Sequence, residues 1–583
     1  MGSINSSNRN RMSVSLEHGT SSQEDLAAGG NREGDDHEGA ESLSNVDGDG
    51  ADSDHEQHDL SSILAYLIRR CASCVSSGQV RILSSDQGDS YSSDEDYPPQ
   101  LHKPPMVVPE PDVSKIKEND IYEEILLRSG RSSAFDRKHP TVAHMLYKRQ
   151  IGFGCHKTFG AGERRLISTP YLPNCCTVVA RYRQKAFCGT YSVDGNIFLS
   201  AAQDQNIRIY DTRDDEFKLL KTIRAKDVGW SILDTAFSPD GNYMAYSSWS
   251  DCIHLCSVHG DEDIHTALHL FPTESSFSIF SLTFSSDNRE ILGGANDGHL
   301  YVYDRDSNQR TLKIDAHDDD VNAVAFADNS SQILFSGGDD GLCKVWDRRT
   351  LKEDHPVPVG TMAGHHDGIT YIDSKGDARY LLSNSKDQTM KLWDIRMFST
   401  KEGIEETKKA VSRQRWDYRW QQVPKKMNKV SRIHGDSSVM TYRGHSVLHT
   451  LIRCHFSPEF TTGQRYVYTG CAMGNLIIYD TLTGQIVRKL EGHNSCVRDV
   501  SWHPFDNNII SSSWDTSIRK WNYQSLDSFD ISDDSRSDSD QEHDGYSFRS
   551  RHPRKKTRGY SKRQKRDSLC KRNEKRKRRG LFD

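Results

Sequence analysis

Histidine, aspartate and serine recur in this chain at spacings that would suit a proton relay. His317 precedes Asp340 by 23 residues, His365 precedes Asp387 by 22, and His493 precedes Asp515 by 22. A fourth histidine, His445, has Met473 where the matching aspartate would fall. An aspartate that orients an imidazole, which in turn takes a hydroxyl proton, is the arrangement of nucleophilic catalysis. An enzyme needs one such set. Here it returns in successive segments, with Trp346, Trp393 and Trp521 each six residues after the aspartate. Repetition on a common frame points instead to a buried hydrogen-bonded chain, in which the aspartate accepts from the histidine and the histidine reaches a serine such as Ser513 and the indole of Trp521.

The same frame ends in a second chemistry. LCKVWDRRT carries Asp347 and Arg349, MKLWDIRM carries Asp394 and Arg396, and NIRIYDTRD carries Asp211 and Arg213. A guanidinium two residues beyond a strand can grip a partner's carboxylates or carbonyls in a fixed fork geometry. No nucleophile elbow, phosphate loop or metal signature accompanies these residues, so an enzyme, a cofactor and a metal are not expected. GFGCHKTFG (152–160) misses the third glycine of a dinucleotide loop, and the CxxC of Cys71 and Cys74 has no second ligand pair.

The elements that must position these groups follow from the period. Repeat endings fall at Tyr210, Cys256, Tyr303, Trp346, Trp393, Tyr479 and Trp521, at intervals of 46, 47, 43, 47, 86 and 42 residues. A four-stranded propeller blade repeats at about 40 to 45 residues, and the 86 is one blade plus an insertion, 397–437. Ala316-His317, Gly364-His365, Gly444-His445 and Gly492-His493 each precede a strand. The chain thereby resembles the WD-repeat family, which implies an all-β, seven-bladed WD-repeat β-propeller over 176–525. Blade two, with Ser250 and Cys256, and blade six, with Met473, depart from the pattern. CTVVARYR (176–183) is expected to complete blade seven, because closure removes exposed strand edges.

Composition describes the flanks. Of 583 residues only 34% are hydrophobic and the mean hydropathy is -0.74, so much of the chain is expected to stay in water. An acidic leader, 1–59, and a tail, 526–583, acidic and then basic, are expected to be disordered; residues 551–580 hold 16 Lys or Arg against two acids. That basic block resembles a bipartite nuclear import signal, so nucleus and cytoplasm are expected, the nucleus favoured. Nucleic-acid binding is disfavoured because Tyr560 alone interrupts the cations. No apolar stretch suits a membrane span or a secretory leader. LSSILAYLIRR (60–70) has Leu64 and Leu67 on an apolar helical stripe that wants a groove, and 71–175 is expected to be a linker with short helices.

The frames FLSAAQDQNIRIYDTR, LFSGGDDGLCKVWDRR and LLSNSKDQTMKLWDIR look like the DWD box of substrate receptors for cullin-4 RING ubiquitin ligases. Runs such as DVGWSILD, DSKGDARYL and WDYRWQQVPKK are similar to the eleventh numbered group of cullin-4-associated factors, in a plant form. The resemblance implies a non-catalytic receptor that binds a damaged-DNA-binding protein one type adaptor through Arg213, Arg349, Arg396, Asp347, Asp394, Leu64 and Leu67, and presents an unknown protein substrate. The insertion, which begins just after Arg396, is expected to grow from the arginine rim. A general WD-repeat scaffold and a nuclear RNA or chromatin binder are the rival readings.

Overall fold

The computed structural model describes residues 108–131, 141–152 and 158–525, apart from 215, 261–263, 274–275, 425–426 and 428–431. All of them lie in one compact unit, Ser85–Asp583. They form seven four-stranded antiparallel sheets, each ordered a-b-c-d from the axis outward. Blade four is typical, with Val321–Phe326, Ile333–Gly338, Cys343–Asp347 and Gly360–Met362 as its strands a to d.

Within each blade the pleat puts alternate residues against the two neighbouring blades, and the core is the set of layers between them. One such layer joins Leu292, Leu300 and Ile314 of blade three to Val321, Val324, Leu334 and Trp346 of blade four. Strand b has to come close to the next blade. A Cβ on Gly337 would lie 2.7 Å from Ile369 and Ile372 of blade five, and one on Gly294 would lie 2.9 Å from Val321 and Val324. The small residues in these strands therefore set the blade-to-blade distance.

Blade seven joins Val497–Trp502, Ile509–Ser513 and Ser517–Asn522 to the N-terminal strand Cys175–Arg181. Cys176 pairs with Trp521 and Thr177 with Lys520, so the ring is closed by strands from opposite ends of the sequence. Residues 1–107, which include the acidic leader 1–59 and Leu64 and Leu67 of 60–70, and the tail from 526 lie outside the described residues. Among the described residues no helix is long and apolar enough to cross a membrane.

The segment read as a linker is, where described, packed onto the propeller. Ile116, Ile121 and Ile125, from the helices Ser114–Glu118 and Ile121–Arg128, are fully buried against Tyr380, Leu382 and Met390 of blade five and Val467 and Ile477 of blade six. Burying an isoleucine contributes about 1.5 to 3 kcal/mol, so the three together hold this strap firmly. Short helices are expected in this segment, and the apolar spacing at 121, 122, 125 and 126 gives the second of them the face that packs on the blades.

Candidate functional site

The histidine network forms as a chain of four side chains in three blades. His317 Nδ1 donates to Asp340 at 3.0 Å, Ser336 Oγ donates to His317 Nε2 at 2.7 Å, and Trp346 Nε1 donates to Ser336 Oγ at 2.9 Å. His365, Asp387, Ser383 and Trp393 repeat it. His493, Asp515, Ser511 and Trp521 do so again, so the serine is Ser511 and not Ser513. Ser513 instead donates to the Ser495 carbonyl. The serine stands ten residues before the tryptophan in all three blades, a spacing that separates 511 from 513. With both imidazole nitrogens and the serine oxygen spent on fixed partners, the set is a brace with nothing to attack.

Burial alone would raise the Asp340 carboxyl, but the His317 ring beside it holds it below its ordinary value, and Asp387 is lowered in the same way by His365. Two other aspartates of the frame find different donors. Asp204 pairs with Arg208 at 2.5 Å, and Asp297 accepts from Tyr301 at 2.7 Å. In blade six, where Met473 stands, His445 is held by Tyr479 Oη at 3.0 Å and Asn384 at 2.9 Å, and burial pushes its pKa down to about 4.

The arginines stand in the loops between strands c and d, on the rim that also carries the a-b turns. Arg349 folds back on Asp347 at 2.9 and 2.7 Å and Arg213 on Asp211 at 3.0 and 2.5 Å, with both side chains about two-thirds exposed, 65% and 67%. The Arg213 hydrogen bonds draw the Asp211 carboxyl down to about 2. Arg348 beside Arg349 is spent on Glu290 of blade three, at 3.0 Å. The two arginines of WDRR thus divide their work, one tying blades and one facing solvent. Exposed Val357 and Val359 follow in the same loop, and exposed Met397 and Phe398 follow Arg396.

Blade five differs. Asp394 is only 1% exposed and is occupied by Arg379 at 2.9 Å and Asn119 at 3.0 Å, leaving Arg396 a long 3.4 Å contact. Asp120 of the strap takes over, accepting from Arg396 at 2.8 Å and from Arg379 at 2.9 Å. Asp394 therefore cannot meet a partner, and Asp347 holds its own arginine; both position a guanidinium. Asp120 could not be found from the repeat, since it lies 276 residues from Arg396.

The insertion starts on the arginine rim but does not stay there. Phe398 lies against Gly360, Ser399 bonds Thr361 and Ala363 along strand d of blade four, and helix Lys401–Ser412 ends up on the opposite rim. There Val411 and Thr407 meet Gly341 of a b-c turn, and Lys408 pairs with Asp318 of a d-a loop. The expectation that it grows from the arginine rim holds for its first residues alone. The cause is the direction of the outer strand, which the chain follows upward after Asp394.

The axial wall carries charge of its own. Arg453 joins Asp234 of blade two at 2.5 Å to Asp499 of blade seven at 3.1 Å, and His455 lies 3.8 Å from Asp373 and Asp499. Burial would lower the His455 pKa, yet the two carboxylates raise it to about 9. A pKa raised from 6.5 contributes stability that is full below 6.5 and is lost as pH rises through about 9. Thermal midpoints measured across that window should fall, and the fall should be shallower in His455→Gln.

Among the described residues Asp251, Cys252 and His269 bring donor atoms together on blade two. The Cys252 thiol lies 3.0 Å from His269 Nδ1, and burial pushes its pKa up to about 12, so it acts there as a thiol donor to the ring.

Comparisons with known proteins agree with this architecture. The model of the WD domain, G-beta repeat, matches residues 266–304, 308–347, 356–394 and 484–522. The chain is 43% identical over 369 residues to a Caenorhabditis elegans protein named DDB1- and CUL4-associated factor 11 homolog, covering 61% of this chain and 64% of that protein, under two thirds of its length. It is 41% identical over 395 residues to the LEC14B protein of Lithospermum erythrorhizon, covering 66% of this chain and 82% of that protein. The Caenorhabditis briggsae factor 11 homolog is 39% identical, with 62% of this chain and 67% of that protein covered. At these identities and coverages the chain belongs to the family of WD-repeat proteins that holds the nematode DDB1- and CUL4-associated factor 11 homologs and the plant LEC14B proteins.

Proposed function

We propose that the chain is the substrate-recognition subunit of a cullin-4 RING ubiquitin ligase, binding a damaged-DNA-binding protein one type adaptor on its arginine rim and a target protein elsewhere on the propeller. The observation that carries this is the pair Arg213 and Arg349, two guanidinia at equivalent places on one rim, each pre-oriented by its own aspartate and each facing solvent. Oriented forks beside exposed apolar side chains such as Val357 and Phe398 make an anchor suited to a protein partner. The names of the nematode relatives, which associate those proteins with DDB1 and CUL4, support the same reading. The receptor needs no chemistry of its own, because holding a target near the ligase's charged carrier supplies the acceleration. Leu64 and Leu67 join the proposal as a second adaptor contact.

The test is calorimetric titration of the full chain with purified adaptor. A complex that weakens in Arg213→Ala with Arg349→Ala, at unchanged thermal midpoint, is the expected result. No complex at all would leave the general scaffold as the better reading.

The basic block at 551–580 supports nuclear import. Deleting 551–583 should move a fluorescent fusion from nucleus toward cytoplasm and leave adaptor binding intact. A deletion that stays nuclear sinks the import role, and loss of steeply salt-dependent RNA binding on deletion would favour the nucleic-acid reading instead.

A further inference from the structure

The run WDYRWQQ, 416–422, has no part in any blade, yet the structure fixes it with care. Trp416 Nε1 donates to Asp367 at 2.9 Å, and burial raises that carboxyl to about 6. Tyr418 is 8% exposed beneath the Lys386 ammonium, 4.5 Å from its ring centre. The Tyr418 carbonyl accepts from the His449 backbone at 2.9 Å, and the Arg419 carbonyl lies 3.1 Å from His449 Nδ1. His449 itself has a φ of 71°, a left-handed conformation rare for a residue with a bulky side chain, which such contacts must hold in place. These partners sit in d-a loops and b-c turns, so the arm lies on the face opposite Arg213, Arg349 and Arg396.

What the arm does not use is as telling. Trp420 is 76% exposed, although Trp416 and Tyr418 on the same short segment are tucked in. The cations divide likewise. Arg419 is spent on Asp417 at 3.0 Å, Lys409 on Glu406, and Lys408 on Asp318. Arg413 and Arg415 are exposed and form no ion pair with the described residues. An arm that buries Tyr418 and half-buries Trp416 while holding Trp420 in water, beside two exposed guanidinia, has the composition of an interaction hot spot. It offers positive charge together with a flat apolar surface.

Resting on the receptor reading above, we propose that the arm 413–422 is the target-docking surface, and that it takes an acidic segment of a protein chain with its carboxylates on Arg413 and Arg415 and an apolar or aromatic side chain against Trp420. Guanidinium forks suit carboxylates, and an exposed indole adds affinity once it is covered. Tryptophan and arginine would also suit single-stranded nucleic acid. The neighbouring Asp318, Asp319 and Asp367 argue against it, since a continuous polyanion would pass over them whereas a short segment with two or three carboxylates need not. With the adaptor on one rim and the target on the other, both can be held at once.

A display library of random peptides panned on the full chain tests this, with counter-selection on the Arg413→Glu, Arg415→Glu, Trp420→Ala variant. Enriched peptides should combine Asp or Glu with an apolar or aromatic residue and bind the variant about tenfold more weakly or worse. Adaptor affinity and thermal midpoint of the variant should match the parent. Enrichment of neutral or basic peptides, equal binding to the variant, or displacement by a single-stranded oligonucleotide overturns the proposal. If the adaptor binds and no peptide is enriched, the docking surface is wrong and the receptor reading stands. If peptides bind as described and the adaptor does not, the reverse holds.

Discussion

Arg453→Leu should unfold much of the protein at ambient temperature. Arg453 is 5% exposed and is the cation between Asp234 and Asp499, which are 3% and 2% exposed and come from blades two and seven. Each carboxylate also accepts a backbone N–H, from Leu282 for Asp234 and from Gly189 for Asp499, so neither can turn to solvent without breaking a strand contact. Removing one partner of a buried pair costs about 3 to 5 kcal/mol because the other charge is stranded. Here one substitution strands Asp234 outright and leaves Asp499 with only the 3.8 Å ion contact to His455, against a total stability of about 5 to 15 kcal/mol for a typical native protein. Urea titration should show a large drop in midpoint, partly restored by adding Asp234→Asn and Asp499→Asn, since amides tolerate burial where carboxylates do not. A midpoint unchanged in Arg453→Leu would mean that water entering from the axis rehydrates the pair, and that this staple contributes little.

Arg453 also shows what repetition can and cannot reveal. The period exposed every blade, the aspartate turns and the tryptophan braces, because related segments solve one packing problem with similar residues, three of them with the full brace. The strand from the far end of the sequence was legible for a related reason, since a ring with an unpaired edge is unfavourable. Arg453 occurs once, immediately before the axial strand Cys454–Phe456, so comparison between repeats passes over it. The same holds for Asp120, whose role depends on a strap folding back across hundreds of residues, and for the insertion, whose path is set by a neighbouring blade. The candidate site divides likewise. Arg213 and Arg349 are repeat residues and were visible, whereas the partner of Arg396 and the position of Trp420 are tertiary facts.

On the proposed receptor reading, Asp120→Ala should weaken adaptor binding nearly as much as Arg396→Ala, and the two together should do little more damage than either alone. In blades one and four the WDxR aspartate grips its own arginine, but in blade five that aspartate is buried under Arg379 and Asn119, and Asp120 orients Arg396 in its place. Without it the side chain loses its one short partner and must be ordered by the adaptor at an entropic cost. Charge-assisted contacts of this kind change affinity by about tenfold or more when one member is removed. Arg349→Ala, whose aspartate is Asp347, should instead combine with Asp120→Ala multiplicatively, because the two arginines share no partner. Thermal midpoints should move little in Arg349→Ala, as exposed pairs add little to stability. A double-mutant cycle on adaptor titrations decides the matter. Additive losses for Asp120 and Arg396 would show that the strap merely lies beside the arginine. A gain in affinity on removing Asp120 would show that it competes with the adaptor for the same guanidinium.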